Sequence, residues 1–295
     1  MFLVWGVFVR MVRYADYSLA RFTSLRIGGP ADDLLIPNDL AELVDVVQTL
    51  PSATPITFLG LGSNTLIRET GLRGLVVILQ GSGLTNITSN DQGIFVEAGV
   101  ACGQLARFAA RNEWHGLSFM AGIPGTVGGA LAMNAGCYGS ETWDHVQYVQ
   151  TLDRKGCVHH RDKAEFAINY RQVNGIEGEM FLAAQFVLPH GDKIASLAQI
   201  KQWLAQRQAT QPIDLPNCGS VFRNPLNDYA ARLIEACGLK GRQIGGAQIS
   251  EKHANFIVNK DHATADDVLA LIALMRRSVK EQYGVYLETE VKVLG

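Results

Sequence analysis

The sequence predicts an α+β protein in three parts, two α/β subdomains followed by a C-terminal α+β domain. An amphipathic helix lies among short strand-like runs in residues 1–80. In residues 81–194, short β runs surround one helix and a glycine-rich stretch, and in residues 195–295 three helices precede a final strand. Strands and helices that are grouped in this way are typical of the α+β class. We expect three structural units with these bounds.

The first unit is predicted from one helix and two strand regions. The segment "NDLAELVDVVQTL" offers Asn38 or Asp39 as a helix N-cap, since a short polar side chain can accept a free backbone N–H there. The apolar residues that follow recur on one helical face: Leu40, Leu43, Val44, Val47 and Leu50. The runs "PITFLGLGSNTLI" and "GLRGLVVIL" are strand-like and contain glycine-rich turns.

Four further segments are predicted as helices, one in the second unit and three in the third. They are "CGQLARFAARNEW", "ASLAQIKQWLAQRQ", "DYAARLIEACG" and "TADDVLALIALMRRSVKEQYG". The chain then ends in a predicted strand, "VYLETEVKVLG". Because side chains alternate along a strand, Tyr286, Glu288, Glu290 and Lys292 are expected to share one face, which on this pattern alone is a solvated polar surface.

Composition and charge limit the classes of function. The chain has 295 residues, of which 47% are hydrophobic and 18% charged, so it can bury a sizeable core. A formal net charge of -2 argues against a nucleic-acid-binding surface. Any anionic ligand must therefore be held by local groups, and no nucleic-acid partner is expected.

The cysteines and the opening segment bear on the cellular compartment. Five cysteines without CxxC spacing fit neither a disulfide framework nor a zinc site, so we expect a cytoplasmic protein without a metal. The opening "MFLVWGVFVRMVRY" looks like a targeting segment, but Arg10 interrupts its apolar run well short of the ~20 residues that span a bilayer. Met11 is a second candidate start, and we expect the first ten residues to contribute little to activity.

Two glycine-rich segments indicate an anion site. The stretch "AGIPGTVGGALAMNAGCYGSE" holds six glycines, and "FLGLGSNTLI" holds two more. Closely spaced amides with few side chains can converge on phosphate oxygens, so we expect a bound pyrophosphate. Tight turns are the alternative. Two such segments with small polar residues between the glycines favour a long ligand that both segments hold.

Neither of the common phosphate motifs is present. A P-loop needs a glycine run that ends in Lys and then Ser or Thr, and no glycine run here ends in Lys. The dinucleotide fingerprint fails because Thr65 stands where "GLGSNT" needs its third glycine. Rossmann and kinase-like functions are therefore disfavoured.

Seven motifs, in order, resemble those of the UDP-N-acetylenolpyruvoylglucosamine reductase family. They are "TSLRIGGPAD", "LGLGSNTLI", "GLSFMAGIPGTVGGALAMNAGCYGSE", "NYR", "CGSVFRNP", "GGAQISEKHANFIVN" and "LETEVKVLG". The similarity extends from about Tyr17 to the last residue, and seven motifs in one order are far harder to obtain by chance than one. The "SEKHANFIVN" segment and the short C-terminal end are similar to the shorter of the two family types.

The resemblance implies a fold and a reaction. The implied fold is the FAD-binding fold of the p-cresol methylhydroxylase and vanillyl-alcohol oxidase type, followed by a substrate domain. In the implied reaction NADPH reduces FAD, and hydride then passes to the enolpyruvyl ether of UDP-N-acetylglucosamine to give UDP-N-acetylmuramate for cell-wall synthesis. No histidine or cysteine flavin linkage is evident, so we expect noncovalent FAD and no obligate protein partner.

The family motifs also assign cofactor residues. The resemblance places the FAD pyrophosphate on backbone amides of the second glycine-rich segment, with the first segment as the opposite wall. The expected residues are Gly60, Gly62, Ser63, Asn64, Gly122, Gly125, Thr126, Gly128, Gly129 and Asn134. Arg26 and Gly28 in "LRIGG" are further candidates, although a structural turn explains them equally well.

Three residues match the family's catalytic positions. Arg171 in "NYR" matches the arginine that binds the substrate carboxylate, Ser220 in "CGSVFRNP" the proton donor, and Glu290 in "LETE" the catalytic glutamate. Hydride addition to an enol ether leaves negative charge beside the carboxylate, so a fixed cation and a proton donor are the groups that this chemistry needs. The alternatives are a surface arginine, a turn serine and a solvated glutamate.

Five residues are candidates for substrate contacts: Tyr170, Arg223, Asn224, Lys240 and His253. The last two lie among glycines in "GLKGRQIGGAQISEKHANFIVN" and are expected to hold the UDP end. Two rival functions stay open. A flavin alcohol or sugar oxidase of the same fold does not need the three catalytic residues together, and a nonenzymatic nucleotide-sugar sensor needs no flavin turnover. Cys137 departs from the usual alanine and is expected to fill space.

Overall fold

A computed structural model describes residues 12–295 of the chain, so the expectation about the first ten residues lies outside the described residues. The helices are α1 (Leu40–Thr49), α2 (Cys102–Arg111), α3 (Val127–Ala132), α4 (Lys193–Thr210), α5 (Ala230–Ala236) and α6 (Ala265–Tyr283). The strands are β1 (Val12–Ser18), β2 (Pro30–Ile36), β3 (Ile56–Leu59), β4 (Thr65–Ile67), β5 (Leu72–Ile78), β6 (Ile87–Asn90), β7 (Gly93–Glu97), β8 (Gly136–Cys137), β9 (Ser140–Glu141), β10 (Val146–Asp153), β11 (Val158–Asp162), β12 (Ala167–Asn169), β13 (Gln172–Asn174), β14 (Glu179–Val187), β15 (Gln243–Ile244), β16 (Ala247–Ile249), β17 (Ile257–Asn259) and β18 (Lys292–Leu294).

The first unit contains a four-stranded sheet in the order β1-β2-β5-β3. The last three strands run parallel, and β1 pairs antiparallel with β2. Helix α1 begins after Asp39, whose carboxylate accepts the N–H of Glu42 at 2.8 Å, and its Leu43 and Val47 pack into the same core as Leu75 of β5. The predicted helix, its cap at Asp39 and the strand regions are confirmed.

The second unit contains a five-stranded antiparallel sheet in the order β11-β10-β14-β7-β6. The central strand β14 is buried from 180 to 186. Helix α2 packs Leu105 and Ala109 into a core that also includes Val96 and Phe186 from the sheet. The helix predicted for this unit is confirmed, and it holds the glycine-rich stretch that follows it against the sheet.

The third unit packs α5 and α6 against a small sheet in the order β15-β16-β17. Helix α6 begins with a capping box between Thr264 and Asp267 and ends at Gly284, whose φ of +68° favours glycine. Within residues 12–295, no helix combines the length and the apolar composition needed to cross a bilayer.

Helix α4 packs against the second unit, although the predicted boundary at residue 195 assigns it to the third. Its Ile200 is buried in the same core as Leu105 and Phe119. The helix ends at Thr210, and the chain then crosses to the third unit. The division at 80 and 195 stays a prediction, but the packing favours a later start for the third unit.

The predicted final strand is wrong in length. Residues 285–291 are irregular apart from a single bridge between Thr289 and Phe222, and only β18 is a strand. Glu288 and Glu290 therefore do not share a solvated face, since their side chains are 71% and 14% exposed. The short strand pairs in parallel with β4, so the C-terminus returns to the first unit.

Candidate active site

The three residues predicted as catalytic line one cleft, although they come from different parts of the chain. Arg171, Ser220 and Glu290 surround a hollow that also includes Ser63 and Gly122 from the two glycine-rich segments. The remaining lining is Asn64, Ile123, Pro124, Met133, Ala135, Gly136, Cys137, Arg207, Gln211, Cys218, Gly219 and Phe256. The fold therefore assembles the predicted site at the junction of all three units.

Glu290 is fixed by backbone contacts on two sides. Its N–H donates to Val221 O at 2.8 Å, and its carbonyl oxygen accepts from Asn64 Nδ2 at 3.1 Å. Burial raises the pKa of its carboxyl, while the nearby charges of Arg171 and Arg223 lower it, and the net shift is upward. A buried carboxyl that keeps its proton at higher pH is suited to donate that proton.

The guanidinium of Arg171 is held by four acceptors. Its Nε donates to Glu290 Oε1 at 3.2 Å and its Nη2 to Gly136 O at 2.6 Å. Its Nη1 faces Asn134 O at 3.2 Å and Glu141 Oε1 at 3.5 Å. Because a guanidinium has five N–H groups, this leaves a single N–H for a ligand. A bidentate hydrogen bond to a carboxylate is therefore not available to Arg171 in this arrangement.

Ser220 follows a glycine that turns the chain into the cleft. Gly219 has a φ of +73°, which favours glycine, and its N–H donates to Asn217 Oδ1 at 3.0 Å. The Ser220 hydroxyl is half-buried and bonds to no acceptor or donor among residues 12–295. It is therefore free to donate a hydrogen bond into the cleft.

The two glycine-rich segments face each other, as predicted. A Cβ placed on Gly60 would clash with Thr126 Oγ1, and a Cβ on Gly125 would lie 3.6 Å from Ser63 Oγ. Gly62 has a φ of +62° and packs against the backbone of Phe22. Only glycine at Gly60 and Gly62 lets the first segment lie this close to its neighbours.

The first segment carries most of the free amides, and the predicted contact of both segments with a cofactor stays a prediction. The backbone N–H groups of residues 60–64 donate to no acceptor among the described residues, and these residues are buried or half-buried. Three amides of the second segment are already used within the protein: Gly125 donates to Ile123 O at 3.0 Å, Gly128 to Ala98 O at 2.9 Å and Gly129 to Thr126 Oγ1 at 3.3 Å. Five consecutive unpaired amides suit a diphosphate, so this segment fits FAD.

Three predicted cofactor residues have structural roles in the protein, and their contacts with FAD stay predictions. A Cβ added at Gly128 would lie only 2.9 Å from Ala98 Cβ, and one added at Gly28 would lie 3.3 Å from Ile67 Cβ. Both glycines therefore allow close packing. Asn134 is buried, and its side-chain amide is used within the protein: Nδ2 donates to Glu141 Oε2 at 2.7 Å and to Asn169 O at 3.2 Å, and Oδ1 accepts from Trp143 N at 3.2 Å. The Asn134 side chain is thus bonded to Glu141 at the end of the same motif and to Asn169 and Trp143 beyond it, and its contact with a cofactor stays a prediction.

A groove continues from the cleft toward Arg26. Arg26, with a φ of +58°, lines a hollow with Ser24 and Asn217 that shares Ser63 with the catalytic cleft. Arg26 therefore lies in a groove that opens into the cleft, and its contact with a cofactor stays a prediction.

Sequence reasoning missed Arg207, which lines both the cleft and the groove. Its Nε donates to Gln211 Oε1 at 2.9 Å, and no carboxylate among the described residues pairs with it. Burial lowers the pKa of its guanidinium. An unpaired half-buried cation suits an anionic ligand, but nothing in "LAQRQ" distinguishes it from an ordinary helix arginine.

Three predicted substrate residues meet in a second hollow. Tyr170, Arg223 and Asn224 line it together with Tyr286 and Leu226. Arg223 Nη2 donates to Arg171 O at 3.2 Å, so the hollow adjoins the catalytic cleft, and Arg223 Nε is buried without a partner among the described residues. A buried unpaired donor is costly, which favours a ligand group there.

The other two predicted substrate residues lie outside both hollows. Lys240 pairs with Glu235 at 2.8 Å, and the ring of His253 lies against Phe256 with centroids 4.7 Å apart. Burial lowers the pKa of His253, and the charge of Lys240 adds to the effect. Phe256 lines the cleft, so His253 is separated from the cleft by one ring and its substrate contact stays a prediction.

Two family models match this chain, one over the first two units and one over the third. Residues 31–161 match the family described as "FAD binding domain", and residues 211–294 match "UDP-N-acetylenolpyruvoylglucosamine reductase, C-terminal domain". The second match begins just after α4, in agreement with its packing. The FAD-binding fold predicted for the first two units is thus confirmed.

Whole-chain relatives agree with these matches. The chain is 51% identical to the UDP-N-acetylenolpyruvoylglucosamine reductase of Alkalilimnicola ehrlichii over 94% of this chain and 93% of that protein. It is 50% identical to the enzyme of Methylococcus capsulatus, over 94% and 91% of the two chains. The crystal structure of the reductase from Thermus caldophilus matches with a TM-score of 0.81 and 33% identity, over 97% of this chain and 99% of that one. The chain therefore belongs to the UDP-N-acetylenolpyruvoylglucosamine reductase family.

Proposed function

We propose that this chain reduces the enolpyruvyl ether of UDP-N-acetylglucosamine to UDP-N-acetylmuramate, with noncovalent FAD as cofactor and NADPH as reductant. The observation that carries the proposal is the meeting of Arg171, Ser220 and Glu290 in one cleft beside five unpaired amides. The product is a precursor of peptidoglycan, so the proposal includes a cytoplasmic role in cell-wall synthesis and, through it, in cell shape and division.

The cofactor is held by backbone and by local charge. The chemistry that FAD supplies when bound is hydride transfer, from NADPH to the methylene carbon of the enolpyruvyl group. The N–H groups of residues 60–64 would hold the diphosphate, because they carry partial positive charge and donate to no acceptor within residues 12–295. Arg207 adds a full positive charge where the groove enters the cleft.

Arg171 and Arg223 stabilise the charge that forms on the substrate. Hydride addition leaves a carbanion beside the carboxylate, and this charge spreads into an enolate. Arg171 keeps its guanidinium in the cleft as a fixed cation with one N–H free for the substrate. Arg223 binds from the adjoining hollow through its unpaired Nε.

Ser220 and Glu290 deliver the proton to the carbanion. The Ser220 hydroxyl is the free donor in the cleft, although a hydroxyl is by itself a weak acid at neutral pH. Glu290 is the stronger acid, and burial keeps its proton in place at a higher pH than usual. We assign the direct donation to Ser220, in line with the family match, and the control of the local charge to Glu290.

An anaerobic absorbance experiment tests the proposed function. NADPH is expected to bleach the visible flavin band, and the enolpyruvyl substrate is expected to restore it. Ser220→Ala should bleach at the normal rate and recover about 10²- to 10⁴-fold more slowly, the range typical of a lost proton donor. Recovery with oxygen alone would instead indicate a flavin oxidase, and a colourless protein would indicate a sensor.

A further inference from the structure

Arg171 occupies a backbone position that normally requires glycine or asparagine. It is the second residue of the two-residue turn between β12 and β13, which pair through Asn169 and Gln172. Its φ is +57°, in the left-handed region, which is unfavourable by roughly 1–2 kcal/mol for a residue with a Cβ. Such a conformation persists only where surrounding contacts hold it.

A network of three groups supplies these contacts from outside the turn. The Asn134 side chain donates to Asn169 O at 3.2 Å, and Arg223 Nη2 donates to Arg171 O at 3.2 Å, so both sides of the turn are bonded. Glu141 then connects the network to the guanidinium. Its Oε2 accepts from Asn134 Nδ2 at 2.7 Å, and its Oε1 lies 3.5 Å from Arg171 Nη1.

Glu141 is itself held in place by local structure. It is the last residue of β9, which pairs with β8 so that Glu141 lies opposite Gly136. It also belongs to a capping box, in which its own N–H donates to Asp144 Oδ2 at 2.8 Å. Its carboxylate is thus aimed at Arg171 by the hairpin and the cap together, and the mechanism above makes no use of it.

We propose that Glu141 is a positioning residue that, with Asn134, orients the Arg171 guanidinium so that Nε faces Glu290 and the cleft. Without the contact at Nη1, the guanidinium can rotate about its terminal bonds, and the single free N–H no longer points at the substrate. Glu141 also places a second negative charge on the far side of Arg171 from Glu290. It therefore reduces the positive potential that Glu290 experiences.

Glu141 thus has two effects, one on the orientation of the Arg171 guanidinium and one on the electrostatic potential at Glu290. Each predicts a different consequence for Glu141→Gln in the flavin-loaded enzyme. Reduction by NADPH should match wild type, while reoxidation by substrate should slow by about tenfold to hundredfold, as expected for a misaligned catalytic group. The charged groups that face Glu290 are Arg171 and Arg223. Removing the charge of Glu141 strengthens the effect of Arg171, so the pKa of Glu290 falls and the alkaline loss of the reoxidation rate moves to lower pH.

A second variant at Glu141 separates the effect of its charge from the effect of its side-chain length, and a variant at Glu165 serves as the control. Glu141→Asp keeps the charge but is too short to contact Nη1, so we expect the slower reoxidation with a pH profile close to wild type. Glu165→Gln is the matched control, because Glu165 also belongs to a capping box and also bonds an arginine, Arg161, at 2.8 Å. It should leave both half-reactions and the pH profile unchanged.

The proposal is overturned if Glu141→Gln equals wild type, or if both half-reactions and the melting temperature fall together without a shift of the pH profile. The kinetic readout rests on the proposed function, so a second readout avoids it. In holoenzyme labelled with ¹⁵N-arginine, hydrogen exchange at Arg171 Nε should quicken in Glu141→Gln, and unchanged exchange would also overturn the proposal. A wild-type enzyme that the substrate fails to reoxidise would count against the proposed function alone.

Discussion

At the residue scale, the two glutamates of "LETE" show how burial divides roles between near neighbours. The side chain of Glu288 is 71% exposed and that of Glu290 is 14% exposed, although the alternation of a strand would give them one environment. The backbone of Glu290 is bonded to Val221 and Asn64, and these contacts turn it inward. The alternation of side chains along a strand could not predict this difference in burial, because residues 285–291 do not form a strand.

Replacing Glu290 with glutamine should slow the proton-delivery step and stabilise the fold. Reoxidation by substrate is expected to fall about 10²-fold or more, because Glu290 controls the local charge during proton donation by Ser220, while reduction by NADPH stays normal. The pKa of Glu290 is raised in the folded state, mainly by burial, so the wild type loses stability as pH rises from the unfolded pKa through the folded pKa. Glutamine does not ionise, so the Glu290→Gln variant avoids this loss. Its free energy of unfolding should equal the wild-type value below the unfolded pKa of Glu290 and exceed the wild-type value above the folded pKa.

Stopped-flow spectroscopy and urea unfolding at several pH values measure the two effects. Glu288→Gln is the control, since the Glu288 side chain is exposed and its one ion-pair contact, with Arg223, is 4.0 Å long, while the backbone bond from Arg223 N to Glu288 O is kept. It should change neither the reoxidation rate nor the pH dependence of stability. A Glu290→Gln enzyme with normal reoxidation would remove Glu290 from the proposed mechanism.

At the element scale, the loop between β3 and β4 is the part of the site that depends most on backbone geometry. The backbone N–H groups of residues 60–64 donate to no acceptor within residues 12–295, and Gly60 and Gly62 let the loop lie against Thr126 and Phe22. The sequence identified this segment by its glycines. Which amides of the two segments are free could not be read from sequence, because it depends on the bond from Gly128 to Ala98, outside the motifs, and on the turn that bonds Gly125 to Ile123.

Gly60→Ala should weaken FAD binding with little change in the rest of the fold. The new methyl group would clash with Thr126 Oγ1 and push the two segments apart. Overpacking typically destabilises by about 1–3 kcal/mol, so we expect FAD affinity to fall by about tenfold or more, measured by flavin fluorescence. Adding Thr126→Ala makes room for the methyl group and should recover part of the affinity.

Gly103→Ala is the matched control for that experiment. Gly103 lies in α2, where a Cβ would come no closer than 3.4 Å to the flexible end of Arg107. Alanine is favoured over glycine in a helix by about 0.5–1 kcal/mol, so this variant should be more stable with unchanged FAD affinity. Equal FAD affinities for Gly60→Ala and the wild type would show that contact with Thr126 does not shape the cofactor site.

At the scale of the whole molecule, sequence patterns located five of the six helices of residues 12–295 and missed α3 in the glycine-rich stretch, while the family motifs selected three residues that share one cleft. Helix α1 was found because its cap and its apolar face are both local features. The packing of α4 on the second unit and the pairing of β18 with β4 were not found, because both depend on contacts between distant parts of the chain. For the same reason, Arg207 and Glu141 were found only in the structure.

The pairing of β18 with β4 links the loop between β3 and β4 to Glu290, which lies more than 200 residues further along the chain. Lys292 N donates to Asn64 O at 3.0 Å, and Asn64 Nδ2 in turn donates to Glu290 O at 3.1 Å. Lys292→Pro removes the first N–H, and the loss of one hydrogen bond amounts to about 0.5–1.5 kcal/mol. We expect weaker FAD binding and slower reoxidation in the same variant, because Asn64 connects the two sites.

Val293→Pro is the control for Lys292→Pro. It tests whether the effect comes from the lost hydrogen bond between β18 and β4 or from the introduction of a proline anywhere in β18. In a parallel pair only alternate residues of a strand bond to the same neighbour, so the N–H of Val293 points away from β4 while Lys292 and Leu294 are paired with it. FAD affinity and reoxidation should therefore stay near wild type in Val293→Pro, and both should fall in Lys292→Pro. If the two variants behave alike, the hydrogen bond from Lys292 does not couple the cofactor loop to Glu290, and the C-terminal strand acts only by covering the first unit.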